Sequence, residues 1–465
     1  MSVLTSALGE FTGRVIWPDD PDYEDARRVV NGAVDRRPAV IIRPANPVEV
    51  AAVVKLARDT GLELAIRSGG HSGAGHGVSE GGIVLDVRDL RAVDIDPQER
   101  TARAETGLTA GDVTTAAGAH GLAIGFGDTG TVGIGGITLG GGIGFLVRKH
   151  GLTIDSLRAA EMVTADGELL HVSSESHPDL FWAIRGGGGN FGVATRFHYE
   201  LQQLDSIVGG MLFLPASAEV IASFIEASEA APEELSAIAN VMPAPPMPII
   251  PEELHGRLVI MAILVYAGDP QAGQRAVAPF RALATPIADQ MKPMAYSDIY
   301  GIFGPEDPDY RPTAVGYTMF VDGIDAGVSE TIMRYLEASD AAMRVAQLRV
   351  LGGAMARVPA DATAFAHRSS RIMVNLAAFY EGPEDKPQRE AWVADFAGGL
   401  RQQDAGAYVG FLADEGEARV RQAYPGPTWD RLAAIKERYD PDNLFRLNQN
   451  IPPATTGAGA AITRR

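Results

Sequence analysis

The stretch "RSGGHSGAGHG", Arg67 to Gly77, directly follows the strand-like run "LELAI". Eight of its eleven residues are glycine, serine or alanine, so the backbone can come close to another group. Two histidines, His71 and His76, stand inside it. Loops of this composition either make tight turns or let backbone N–H groups cradle an anion, usually phosphate. Two further stretches share the character. The 24 residues from Gly121 to Gly144 hold 11 glycines, with the loop proper over Gly127–Gly144, and Gly186 to Val193 reads "GGGGNFGV".

Familiar phosphate motifs do not account for these loops. A P-loop needs Gly-x-x-x-x-Gly-Lys-Ser/Thr, and no lysine here is followed by Ser or Thr. "GGGNFG", Gly187–Gly192, matches the letters of the dinucleotide fingerprint. That fingerprint lies between a strand and a helix, whereas here a helix-like run precedes it and a strand-like run follows. A Rossmann-type NAD enzyme is therefore disfavoured. Three loops from distant parts of the chain instead suit one long anionic ligand of dinucleotide size.

At 465 residues the chain exceeds the size at which one core stops growing, so two domains are expected. A hydrophobic fraction of 46% and a charged fraction of 21% are those of an ordinary globular protein. The net charge of −19 disfavours nucleic acid and anionic membrane as partners, since both need a basic surface. There is no cysteine, which removes disulfides, thiolate metal sites and cysteine nucleophiles together. The N-terminus lacks a basic start followed by an apolar run, and no stretch of about 18 apolar residues occurs. A cytoplasmic location is the default expectation.

Periodicity and punctuation place the elements. "RPANPVEVAAVVKLARDTG", Arg43–Gly61, has proline near a helix start, helical apolar spacing and a glycine stop. "GIVLDVRDL", "RAVDID" and "RTARAETG" read as short strands, and "TAGDVTTAAGAHG" as a helix. "DSLRAAEMVTADGELLHVS" reads as a hairpin turning at Asp166–Gly167. Beyond about residue 205 the glycine clusters thin out and "MPAPPMPIIPEE", Met242–Glu253, reads as a proline-rich link. "GRLVIMAILVYAG", "MRVAQLRVLGG" and "SRIMVNLAAFYEG" read as strands, "PQAGQRAVAPFRAL" and "SETIMRYLEAS" as helices. This mixture suggests a separate α+β domain. The tail "PTWDRLAAIKERYDPDNLFRLNQNIPP" reads as a helix, a proline turn and an asparagine-rich end.

Three roles compete for His71. It can be a turn histidine bonded to the backbone. With His76, five residues on, it can bind a metal, although the intervening glycines do not form a helix that would face the two together. It can also attack the 8α-methyl carbon of a flavin once that ring tautomerises, which needs an uncrowded imidazole beside a phosphate-cradling loop.

"RSGGHSGAGHG" resembles the flavin-attachment loop of berberine bridge enzyme-like oxidases, within the vanillyl-alcohol oxidase superfamily with its PCMH-type FAD-binding domain. "GDTGTVGIGGITLGGGIGFLVRKHGLTIDSL" resembles the family's second flavin loop and "LFWAIRGGGGNFGVAT" its third. "LRVLGGAMARVPADATAFAHR" resembles a substrate-domain segment, and "RLAAIKERYDPDNLFRLNQNI" the C-terminal segment that returns to the flavin domain. The resemblance implies an α+β fold with an FAD-binding domain over 1–205, its main part about 35–205. A substrate domain over 206–412, an antiparallel sheet covered by helices, would follow, and 413–465 would return. It implies FAD joined to His71. Many relatives carry a second, cysteinyl tether; here Thr129 in "TGTVG" stands at that place, so no such link can form. The missing tether argues against a bulky oligosaccharide substrate.

By the same resemblance the backbone cradle falls to Arg67, Ser68, Gly69, Gly70 and Ser72 around the pyrophosphate. Thr129, Gly133, Gly136 and Gly142 join from the second loop, Gly192 and Val193 from the third, with Asn448 and Asn450 near the ring system. Arg67 and Arg185 can instead be surface ion-pair residues. Oxidation next to oxygen or nitrogen needs a general base. Tyr408 leads the candidates, ahead of Tyr380 and Glu381, with Gly410 standing where the family often has asparagine. The expected activity is oxidation of a small alcohol or amine, with electrons passing to O2 to give H2O2. A flavin dehydrogenase that reacts poorly with O2, and a non-redox flavin carrier or isomerase, are the alternatives. No resident metal is expected, and the sequence leaves the oligomeric state open.

Overall fold

The helix Pro47–Thr60 shows how local sequence becomes scaffold. Asn46 caps it by accepting a hydrogen bond from the Glu49 N–H, and Gly61 ends it in the left-handed region at φ 68°. Its apolar face, Val50, Val53, Val54 and Ala57, is buried against Val40, Ile42, Ile83 and Leu85 of a neighbouring sheet. The structure is a computed structural model that describes Leu4, residues 11–304 and residues 310–454.

That sheet runs in the order β1 (Arg14–Ile16), β2 (Val40–Arg43), β4 (Ile83–Asp86), β3 (Leu64–Arg67). Strands β2, β4 and β3 are parallel, and β1 pairs antiparallel with β2. A second sheet is antiparallel throughout, in the order β5 (Val93–Asp96), β6 (Thr101–Glu105), β10 (Val193–Glu200), β8 (Leu157–Val163), β9 (Leu169–Ser173). The β8–β9 hairpin turns at Gly167, φ +78°. The short strands β7 (Leu122–Ala123) and β11 (Gln202–Gln203) pair antiparallel with each other.

A third, larger sheet holds β12 (Ile207–Pro215), β13 (Leu235–Pro243), β14 (Leu258–Ala267), β15 (Ala288–Asp289), β16 (Lys292–Met294), β17 (Ala314–Val321), β18 (Arg344–Val350) and β19 (Ile372–Phe379). Its main path is β15-β12-β14-β13-β18-β19-β17, all antiparallel. Four helices, Ala218–Ala230, Pro270–Arg281, Ala326–Ala338 and Lys386–Leu400, bury its outer face. The chain is thus mixed α and β, with an antiparallel sheet covered by helices, as the sequence suggests.

One boundary moves, and Met242–Glu253 is a link in all but its first two residues, joining β13 to β14. Met242 and Pro243 finish β13, and the following residues fold back so that Ala244 and Ile250 pack on Met211, Phe213 and Val259. The return of the chain begins before residue 413. Ala407 and Leu412 already lie in the core beneath the second sheet, with Trp429, Leu432 and Ile451 of the tail. The last eleven residues of the 413–465 segment lie outside the described residues, as do most of the first ten of the 1–205 domain.

Asp86 ends β4 with no exposed surface and receives three guanidiniums, Arg43 at 3.0 Å, Arg67 at 2.9 Å and Arg88 at 2.8 Å. Burial pushes its carboxyl up, but the three cations outweigh that and hold it at about 2. A depressed folded-state value stabilises above the ordinary carboxylate range, and the contribution is lost as pH falls from about 4 through about 2. Asp86→Asn is expected to cost about 3–5 kcal/mol at neutral pH, because it leaves the buried Arg67 charge uncompensated. Urea unfolding followed by circular dichroism measures this.

Candidate active site

The loop Arg67–Gly77 leaves the end of β3 and meets the second glycine loop head-on. A β-carbon at Gly69 would stand 2.2 Å from the Gly133 nitrogen, and one at Gly133 would stand 2.2 Å from the Gly69 nitrogen. Only glycine on both sides lets the two backbones touch. Ser68 Oγ ties them further, donating to Thr106 O at 2.6 Å and accepting from the Gly135 N–H at 3.3 Å. Arg67 contributes backbone alone, since its side chain is buried and turned to Asp86 and to Ala26 O at 2.5 Å. It is not a surface ion-pair residue. Nor is Arg185, whose guanidinium lies 4.3 Å over the Phe181 ring and donates to Phe181 O and Ala362 O.

The third loop is held by the tail. Lys436, fully buried, donates through Nζ to Asn190 O at 2.7 Å, Asp440 Oδ2 at 2.6 Å and Phe445 O at 2.9 Å. Asn190 donates to Gly187 O and Gln449 O and accepts from the Ile451 N–H. Asn448 donates to Gly189 O at 3.3 Å. The spacing of Lys436 and Asp440, one helical turn apart, is the local signal that could have marked this anchor.

Between the loops lies a cavity of about 350 Å³. Arg67, Ser68, Gly69, Gly70, His71, Ser72, Thr129, Gly133, Gly136, Gly192, Val193, Asn448 and Tyr408 all line it. His76 lines it too, with burial pushing its imidazole down to about 4, so it is neutral at physiological pH. Gly142 does not line it. Gly142 is held at φ +79° where a β-carbon would strike Thr153 Oγ1, and its N–H donates to the Tyr408 hydroxyl at 3.1 Å. Asn450 also lies off the lining. Tyr380 and Glu381 are not brought to the cavity either. They follow the end of β19, where Tyr380 pairs with the backbone and hydroxyl of Thr313. Met373, the β19 residue that packs with Tyr408, is seven residues away, about 23 Å along an extended strand.

Tyr408 is buried between Phe365 and Phe411. Burial raises its hydroxyl pKa, against the lowering effects of the Gly142 and Ile143 N–H groups and Arg349, so it is a poor proton acceptor at neutral pH. A β-carbon at Gly410 would lie 2.8 Å from the Tyr408 ring. Glycine instead of asparagine at 410 is therefore what lets this ring take its place.

The lining fits an extended ligand with polar edges. β-Carbons at Gly136 and Gly189 would meet nothing within 4 Å, so the cavity comes right up to these backbones. The side-chain oxygen of Asn448, on the lining, is buried without a hydrogen-bond partner in the protein. FAD, with its pyrophosphate and ring heteroatoms, suits both features. Two lining or adjacent residues escaped the sequence reading. Asp128, the one charged residue between Gly121 and Gly144, is on the wall, and Arg349 of β18 is paired with it.

Known proteins agree with this architecture. The FAD binding domain family matches residues 38–173, and the berberine and berberine-like family matches residues 407–452. An FAD-linked oxidoreductase of Bacillus subtilis (strain 168) is 31% identical over 457 residues, 96% of this chain and 99% of its own. The (R)-6-hydroxynicotine oxidase of Paenarthrobacter nicotinovorans is 29% identical, covering 95% of this chain and 97% of its own. Crystalline 6-hydroxy-D-nicotine oxidase from Arthrobacter nicotinovorans superimposes with a TM-score of 0.84 at 27% identity, over 95% of this chain and 98% of that one. Xylooligosaccharide oxidase from Myceliophthora thermophila, in complex with xylobiose, also gives 0.84, at 25% identity over 97% and 99%.

Two glycine substitutions separate the loop contact from the cavity. Gly69→Ala is expected to force the first two loops apart, lowering both the unfolding temperature and the flavin content. Gly136→Ala, inside the helix Ile134–Leu139, is expected to leave stability unchanged or raise it by up to about 1 kcal/mol, while reducing flavin content. Visible absorbance and thermal unfolding of the two purified variants check both outcomes.

Proposed function

Since the chain belongs to the berberine-like FAD-linked oxidoreductases, we propose that it is an oxidase of a small-molecule alcohol or amine that returns its electrons to O2 as H2O2. The observation that carries this is the convergence of three glycine loops and the Asn448 tail on one cavity whose wall also holds His71. FAD, when bound, accepts the hydride at N5 and is the redox centre. The backbones of Ser68–Ser72, Gly133, Gly136 and Gly192–Val193 would hold its pyrophosphate and nearby groups, and Asn448 would meet the ring edge. His71 would carry the covalent link at the 8α carbon. Thr129 would leave the opposite edge untethered, since the chain has no cysteine.

The chain's own task is to orient the substrate, exclude water and take up the proton that leaves oxygen or nitrogen. The ring of Tyr408, fixed by Gly142 and Gly410, forms part of the substrate wall. Relatives named as oxidases of 6-hydroxynicotine and of xylooligosaccharides support the oxidase class without choosing the substrate.

Acid-precipitated protein is expected to stay yellow, and His71→Ala to release its colour on precipitation. Flavin that washes out of the wild type in acid rules out the covalent link. In air, substrate-reduced enzyme is expected to reoxidise within seconds with one H2O2 per turnover. Reoxidation over minutes assigns it to the dehydrogenases instead, and failure of every substrate in a broad screen to bleach the flavin leaves a carrier or isomerase.

A further inference from the structure

Among the described residues that line the cavity, Asp128 is the one carboxylate. His71 is taken up by the flavin in the reading above, and the other titratable groups there serve poorly as a base. Tyr408 has its hydroxyl pKa raised by burial and its oxygen engaged with Gly142, His76 is held at about 4, and Arg67 is paired with Asp86. Asp128, by contrast, keeps 22% of its side chain exposed while one of its oxygens, Oδ2, is pinned by Arg349, which is only 4% exposed.

Arg349 is itself locked in place. Its Nη2 donates to Asp128 and, at 2.8 Å, to Gln347 Oε1, which also accepts from Nε at 3.0 Å. Gln347 Nε2 donates to Asn240 Oδ1 at 2.9 Å, and Asn240 Nδ2 donates to Met261 O at 3.1 Å. Every donor in this row points one way, from the guanidinium to a backbone carbonyl, so both amide orientations are determined. The Arg349 guanidinium also lies 5.2 Å over the Phe411 ring, another cavity residue. Three strands of the large sheet thus hold one carboxylate of the second glycine loop at the cavity wall. Such an arrangement costs desolvation and ordering, which a loop needing only to close a turn would not require.

We propose that Asp128 is the catalytic base of the oxidation and that Arg349 is its positioning residue. This rests on the flavin-oxidase reading. The substrate O–H bond breaks and its proton passes to Asp128 Oδ1, the carboxylate oxygen that Arg349 leaves unpinned and that accepts a single long bond, at 3.4 Å, from the neighbouring Thr129 hydroxyl. The adjacent C–H bond breaks with its electron pair going to the flavin as hydride, so the alcohol becomes a carbonyl compound and the flavin is reduced by two electrons. The pairing with Arg349 leaves the site close to neutral, which suits an uncharged alcohol better than a substrate ammonium.

The titratable and charged groups that face Asp128 are Arg349 on β18, Tyr408 on the returning segment and Tyr300 in the turn Tyr296–Phe303.

Two measurements on the flavin-loaded protein test the proposal. In stopped-flow reduction by xylobiose, benzyl alcohol and cyclohexanol, Asp128→Asn is expected to slow reduction by at least about 100-fold at neutral pH and to abolish the acidic limb of the pH profile. Arg349→Gln is expected to slow reduction by about 10-fold, with Arg349→Lys restoring most of the rate. Asp128→Asn within about threefold of wild type, or Arg349→Gln at the wild-type rate, overturns the assignment. Independently of turnover, loss of a negative charge beside the flavin is expected to make its midpoint potential more positive in Asp128→Asn, as read by dye equilibration. An unchanged potential overturns the placement. If no alcohol reduces the wild type, the alcohol-oxidase reading fails by itself, and the potential still decides whether Asp128 stands at the flavin.

Discussion

Everything at the site depends on the contact between Gly69 and Gly133, where two main chains approach so closely that neither residue can carry a side chain. One loop comes from the end of a parallel strand and the other opens the helix Ile134–Leu139. Their meeting turns two unremarkable turns into one wall of backbone groups. Ser68 confirms the register of that meeting by bonding Thr106 on one side and Gly135 on the other. The glycines are therefore of two kinds. Gly69 and Gly133 are small because protein lies against them; Gly136 and Gly189 are small because the cavity does.

Around this contact, buried charges act as fasteners. Asp86 gathers Arg43, Arg67 and Arg88 behind the first loop, and Lys436 with Asp440 clamps the third loop to the tail. Asp128 with Arg349 joins the second loop to the large sheet. Each pair brings together segments that a short stretch of sequence cannot relate. Because a half-satisfied buried charge costs several kcal/mol, each also specifies a single arrangement. The cavity inherits its shape from these three fastenings.

Much of the architecture was legible in advance. The 3.6-residue spacing and the Asn46 and Gly61 caps marked Pro47–Thr60, and the Asp166–Gly167 turn marked the β8–β9 hairpin. Local preference and burial agree at these places, so the sequence pattern suffices. The three glycine loops, and the membership of His71 in one of them, were legible for the same reason. Met242–Glu253 was legible as a proline-rich link, but not that its apolar residues, Ala244 and Ile250, pack back on the sheet. Tyr380 and Glu381 were candidates through the family resemblance, which puts a base on the middle domain's sheet. Only the register of β19 against β17 and β18 reveals that their end of that strand points away from the cavity.

By itself the sequence determined the element types, the glycine cradle, the absence of a cysteinyl tether and the family to which the chain belongs. These are properties of local patterns or of composition, and no folding is needed to read them. The tertiary structure decided which side chains share the cavity. It turned Arg67 away from the ligand, fastened the Tyr408 hydroxyl to Gly142 and left Asp128 as the wall's carboxylate. Those outcomes join residues separated by up to 266 positions along the chain. They follow from strand register, from close backbone approach and from the need to pair every buried charge, and these constraints act only once the chain has folded.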